Sequence, residues 1–119
     1  NAREGNLYIT KKQKETINNI ITKLSTGEKE PNLKEENKLI FQDDDTEMVK
    51  AINFSADIFY EDEDTITAIE LKSVKPNSGE MRGEKQKILE GKAALYYKFK
   101  PKKVNFFIAF PFDPTSEES

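Results

Sequence analysis

Apolar residues recur at Ile17, Ile20, Ile21 and Leu24, the i, i+3, i+4, i+7 spacing of one helical face. This predicts a helix over residues 10–24 with Gly27 as its stop. From Gly27 to Lys38 the chain turns to Glu, Lys, Asn and Pro with a single Leu, the composition of a linker or poorly ordered loop. Leu39-Ile40-Phe41 reads as a short strand, while residues 46–52 fit neither period. The pattern sharpens at Phe54. Residues 54–60 and 65–74 are both rich in Ile, Phe, Tyr, Val and Thr, and the acidic turn Glu61-Asp62-Glu63-Asp64 separates them, so they predict an antiparallel hairpin.

Lys75-Pro76-Asn77-Ser78-Gly79 then breaks the strand, with Ser78 as the expected N-cap of a helix running from Glu80 to about Phe99. Met81, Ile88, Leu89, Leu95, Tyr96 and Phe99 give that helix one broad stripe, and Pro101 ends it. Val104 to Phe110 is almost continuously apolar, as a strand covered on both faces should be. A strand, helix, strand order implies a crossover that lays 104–110 parallel to 65–74. The predicted class is therefore α/β in the α+β sense: helix, antiparallel hairpin, crossover helix and parallel strand around a small mixed sheet.

Alternation within the hairpin sorts its side chains. A turn centred on Glu63 and Asp64 sets Asp57 opposite Glu70, Phe59 opposite Ala68 and Glu61 opposite Ile66. Lys72 then shares a face with Asp57 and Glu70, while Ala56, Ile58, Ile69 and Leu71 point to the other face, which reads as core. Two carboxylates directly across a sheet, with Cβ atoms roughly 5 Å apart, repel each other and call for a cation. Lys72 is one. A divalent magnesium ion, which takes one or two carboxylates with water and phosphate oxygens, is another. The competing reading is an ordinary ion pair of Lys72 with one acid on a solvated sheet edge, worth little.

Composition narrows the chemistry. The 119 residues include no Cys and no His, which removes thiolate metal sites, disulfides and the commonest general base. The longest apolar run, Phe106 to Phe112, is far short of the ~20 residues that span a bilayer, so no membrane partner is expected and a cytoplasmic location follows most simply. Asn1-Ala2 reads as a cleaved-tag scar and the polar stretch 114–119 closes no element, so residues 3–119 are expected to form one domain of a longer protein. The net charge of −3 conceals an asymmetry. Residues 43–70 carry ten acids against one base, and residues 71–103 carry ten bases against three acids. Asp43-Asp44-Asp45 and the turn acids lack the Gly and Glu spacing of an EF-hand and read as solvated turns. Glu15 and Glu47 read as surface acids, and Tyr96-Tyr97 and Phe106-Phe107 as core.

Ala56-Asp57, twelve further residues, then Glu70-Leu71-Lys72 inside an apolar strand resembles the PD-(D/E)xK nuclease signature, with Ala where that pattern often has Pro. The predicted element order is similar to that superfamily's core, a restriction-endonuclease-like fold. More narrowly, residues 70–80, the Lys-rich helix and Ile108-Ala109-Phe110-Pro111 resemble the TdeIII-type type II restriction endonucleases. The resemblance implies Mg2+-dependent hydrolysis of phosphodiesters in double-stranded DNA inside a prokaryotic cell, commonly by a homodimer. Asp57 and Glu70 would hold the metal with the Leu71 carbonyl, and Lys72 would position or deprotonate the attacking water. The superfamily often adds a Lys or Gln from the following helix, where Lys85, Gln86 and Lys92 are available. Lys75 and the other bases of 71–103 would supply phosphate contacts. The alternative is a non-catalytic module that binds nucleic acid or protein on the same fold.

Overall fold

A computed structural model describes residues 7–52, 56–75 and 77–110, with the Ser78 side chain left aside. The predicted first helix is α1, Lys11–Thr26. Thr10 opens it with a capping box: its hydroxyl accepts from the Gln13 N–H, and the Gln13 side chain accepts from the Thr10 N–H. Gly27 closes it in the left-handed region at φ 79°, a conformation that costs glycine nothing sterically. Ile17, Ile20 and Ile21 are buried, as the periodicity predicts.

The flanks of α1 depart from expectation. Tyr8–Thr10 forms β1 and pairs antiparallel with β2, Met48–Lys50, in the stretch whose pattern was ambiguous. Part of the expected linker, together with Leu39 and Ile40 of the expected short strand, is helix α2, Leu33–Ile40. Asn32 caps it by accepting from the Glu35 N–H. The helix is fixed by tertiary contacts: Ile40 is fully buried, and buried Glu36 pairs with Lys85 at 2.6 Å. Burying a side chain of Ile size contributes roughly 1.5–3 kcal/mol, enough to override the weak local pattern.

The second half keeps the predicted element order and strand directions, although Phe107, expected as core in a strand covered on both faces, is 53% exposed. β3, Ile58–Glu61, pairs antiparallel with β4, Thr65–Leu71, in the expected register: Phe59 faces Ala68 and Glu61 faces Ile66. The start of the expected strand at Phe54 lies outside the described residues. α3, Ser78–Phe99, is capped by Asn77 rather than by Ser78, which is its first helical residue. Asn77 accepts from the Glu80 N–H while Glu80 accepts from the Asn77 N–H. β5, Lys103–Ala109, returns parallel to β4, pairing Thr65 with Lys103 through Leu71 with Ala109.

α3 holds the molecule together because both core clusters use it. Leu89, Ala93 and Ala94 pack with α1, α2, β1 and the buried Ala51, while Leu95 packs on Ala56, Ile66, Ala68, Val104 and Phe106 of the sheet side. Among the described residues, no helix is long and apolar enough to cross a membrane.

Candidate active site

On β4, alternation sends Ile66, Ala68 and Glu70 toward α3. Ile66 and Ala68 are fully buried, and Glu70, at the end of the row, is still only 7% exposed. The expectation that Ile58, Ile69 and Leu71 mark the core face is therefore overturned. Ile58 and Leu71 are 42% and 53% exposed, and Ala56 is buried on the Glu70 side instead. The strand is apolar on both faces, so alternation groups the residues without saying which group α3 covers.

A carboxylate at this depth needs cations, and it has two. Glu70 Oε2 lies 3.0 Å from Lys72 Nζ and 3.0 Å from Lys87 Nζ. Lys72 also reaches Glu84 Oε2 at 3.1 Å, and Lys87 lies 3.6 Å from Glu84 Oε1. Two acids and two bases thus close a ring between the end of β4 and the first turns of α3. Burial pushes the Glu70 carboxyl up, but hydrogen bonds from Lys87 and then Lys72 outweigh it, so the group sits below the ordinary glutamate range. Lys72 is held well above the ordinary lysine value, first by Glu70 and then by Glu84. Its backbone is fixed as well, since the Lys72 N–H donates to the Ala109 carbonyl at 2.9 Å.

Asp57 arrives differently. The expected ladder pair with Glu70 does not form, because the paired register stops at Ile58 and Ile69. The Asp57 N–H donates to the Ile69 carbonyl at 2.9 Å, so two successive residues address Ile69, the arrangement of a β-bulge. The bulge turns the carboxylate onto the β4 backbone, where Asp57 Oδ2 accepts from the Leu71 N–H at 2.7 Å. Asp57 therefore stands at the Glu70-Leu71 peptide, exposed, and makes no ion pair with a described residue.

The helix candidates divide. Lys85 pairs with Glu36, Gln86 donates to Asn18 and Glu90, and Lys92 donates to Asn37, all on the α1 and α2 side. Burial, and then the neighbouring Lys85, pull the Lys92 ammonium below its ordinary value. These three side chains hold α3 to its neighbours and do not meet Glu70. Lys75 is exposed beyond the strand. Glu15 and Glu47 are exposed, as expected. The helix residue that does meet Glu70 is Lys87, which the sequence presents only as one of many bases, and Glu84, which no motif marks, reaches Lys72 and Lys87. Extending the stripe of Ile88 and Leu95 back by one helical turn lands on Glu84, and that signal would have found it.

A divalent cation fits this chemistry on one observation. Glu70 Oε1 is buried without a hydrogen-bond partner among the described residues, while Oε2 takes both lysines. Among the described residues, no group of three or more Asp, Glu, His or Cys side chains could hold a metal by itself. The ion would thus depend on few protein ligands with water and phosphate oxygens, which is how magnesium is commonly bound.

Comparison with known proteins gives two matches. A family model described as "Type II restriction endonuclease, HinfI" matches residues 1–119. The chain is also 46% identical over 112 residues to the type II restriction enzyme MjaII of Methanocaldococcus jannaschii, covering 92% of this chain and 30% of that protein. It therefore spans about a third of the length of the curated relative. The narrower TdeIII-type likeness is not confirmed by either match. No solved structure matches the chain significantly.

Proposed function

The chain belongs to the HinfI family of type II restriction endonucleases, and from that premise we propose that it carries the PD-(D/E)xK-type catalytic centre of a Mg2+-dependent enzyme that hydrolyses phosphodiester bonds in double-stranded DNA. The observation that carries this reading is Glu70 at the end of β4, which has one carboxylate oxygen paired to Lys72 and the other buried without a partner among the described residues. Glu70, Asp57 and the Leu71 carbonyl would hold the ion. When bound, magnesium polarises a phosphoryl oxygen and acidifies coordinated water. Asp57 keeps the end of β4 in place through the Leu71 N–H. Lys72, gripped by two carboxylates, acts as a fixed cation facing the charge that grows on the scissile phosphate, and its pairing argues against its serving as the proton acceptor. Exposed Lys75 is the retained candidate for a phosphate contact. The proposal extends to a single domain over 3–119, a homodimer and a prokaryotic cytoplasmic setting.

The test uses the full-length protein on plasmid DNA with magnesium and with EDTA. Lys72→Ala and Asp57→Asn should abolish cutting while circular dichroism stays that of the wild type. Magnesium-dependent cutting retained in either folded variant would remove the roles assigned to Lys72 and Asp57. A non-catalytic module on the same fold is favoured by one feature, the full neutralisation of Glu70 and Glu84 by Lys72 and Lys87. Saturable magnesium binding that is lost in Glu70→Gln decides for the enzyme.

A further inference from the structure

Resting on the reading of Lys72 as the cation of the site, we propose that Glu84 of α3 is its positioning residue. Lys72 lies one residue beyond β4, and four rotatable bonds separate its ammonium from the backbone anchored at Ala109. Glu70 alone is a poor anchor, because its Oε2 already serves both Lys72 and Lys87 and the same carboxylate is the ligand offered to the metal. Glu84 Oε2 reaches Lys72 at 3.1 Å from a different element, with its side chain only 16% exposed. Its other oxygen is buried and, among the described residues, has no hydrogen-bond partner and meets only the more distant Lys87 at 3.6 Å. The ammonium is thereby fixed from the helix as well as from the strand. When Glu70 is drawn toward a cation, the helix contact keeps Lys72 from swinging away. Glu84 acts through Lys72 and touches neither DNA nor metal.

Glu84→Gln in the full-length protein keeps the length and removes the charge. Three quantities are read: the single-turnover cleavage rate at saturating magnesium and DNA, DNA affinity with calcium replacing magnesium, and manganese affinity without DNA by calorimetry. The rate should fall by about tenfold to a hundredfold, the scale of a misplaced catalytic group, with both affinities within about twofold of wild type. A weakened manganese affinity would make Glu84 a ligand and overturn the proposal. So would an unchanged rate, or a loss of thermal stability with the rate intact. If Glu84→Gln does not fold, Glu84→Asp, which draws the charge back by one methylene, is judged by the same criteria. Cutting retained in Lys72→Ala would sink the underlying reading of the site. A dead Lys72→Ala beside a fully active Glu84→Gln would sink the role of Glu84 alone.

Discussion

Two glycines of α3 should respond oppositely to the same substitution. At Gly83, exposed in the second turn, an added methyl meets nothing within 4 Å. Gly83→Ala should therefore stabilise by about 1 kcal/mol, the difference in helix propensity. At Gly91 a Cβ would stand 2.8, 3.0 and 3.3 Å from three ring carbons of Phe106, whose side chain is 2% exposed and pairs α3 with β5. The same propensity gain applies, but overpacking a filled core costs roughly 1–3 kcal/mol. The two variants should thus differ by roughly 1–3 kcal/mol, with Gly91→Ala the less stable. Urea denaturation followed by circular dichroism measures this, provided the slopes agree so that the midpoints report stability alone. Equal stabilisation by both would mean that Phe106 yields freely and that the helix does not depend on glycine for its approach to the sheet.

Two further outcomes follow from buried charge. Glu90 is fully buried, accepts from the Ile52 N–H at 2.8 Å and from Gln86 at 2.9 Å, and pairs with Lys14 at 3.1 Å. Glu90→Ala should cost about 3 kcal/mol in chemical denaturation, because it strands an N–H and an ammonium, and a loss below about 1 kcal/mol would refute the assigned contacts. Glu70 is depressed below the ordinary value near 4.5, so the unfolded chain binds its proton first as pH falls. Its contribution is complete above about pH 4.5 and is lost as pH drops through the lower folded value. Unfolding free energies between pH 6 and pH 3 should therefore fall less steeply in Glu70→Gln, and an identical slope would count against the pairing with Lys87 and Lys72.

The elements with strong internal periodicity were legible: α1, the β3–β4 register from Ile58 to Ile69, α3 and the parallel β5. What failed was whatever depended on partners distant in sequence. α2 has one Leu at its start and one Leu-Ile pair at its end, and its stability comes from Ile40 and the Glu36-Lys85 pair. β1 and β2 are three residues each, too short for alternation to register, and exist because they pair with each other. Glu70 with Lys72 was readable because both lie on one segment at a spacing of two. The bulge at Asp57 was not, since a shift of one residue leaves no mark on composition.

Which helix residues reach the end of β4 depends on how closely α3 lies on the sheet, and Gly91 marks a close approach. Glu84, Lys87 and Gly91 are spaced i, i+3, i+7 and share a helical face. Gly91 lets the backbone come down onto Phe106, which packs in one cluster with the small residues Ala56 and Ala68. One and two turns earlier the same approach carries Lys87 to within 3.0 Å of Glu70 and Glu84 to within 3.1 Å of Lys72. A helix lifted by a few tenths of an ångström at Gly91 would lengthen both contacts together, so core packing and the charged ring are one mechanical unit. If the full-length protein has the proposed activity, Gly91→Ala should accordingly lower its cleavage rate even where the protein remains folded, whereas Gly83→Ala, on open surface, should leave it unchanged. An undiminished rate in folded Gly91→Ala would separate the two and show that the ring adjusts independently of the helix.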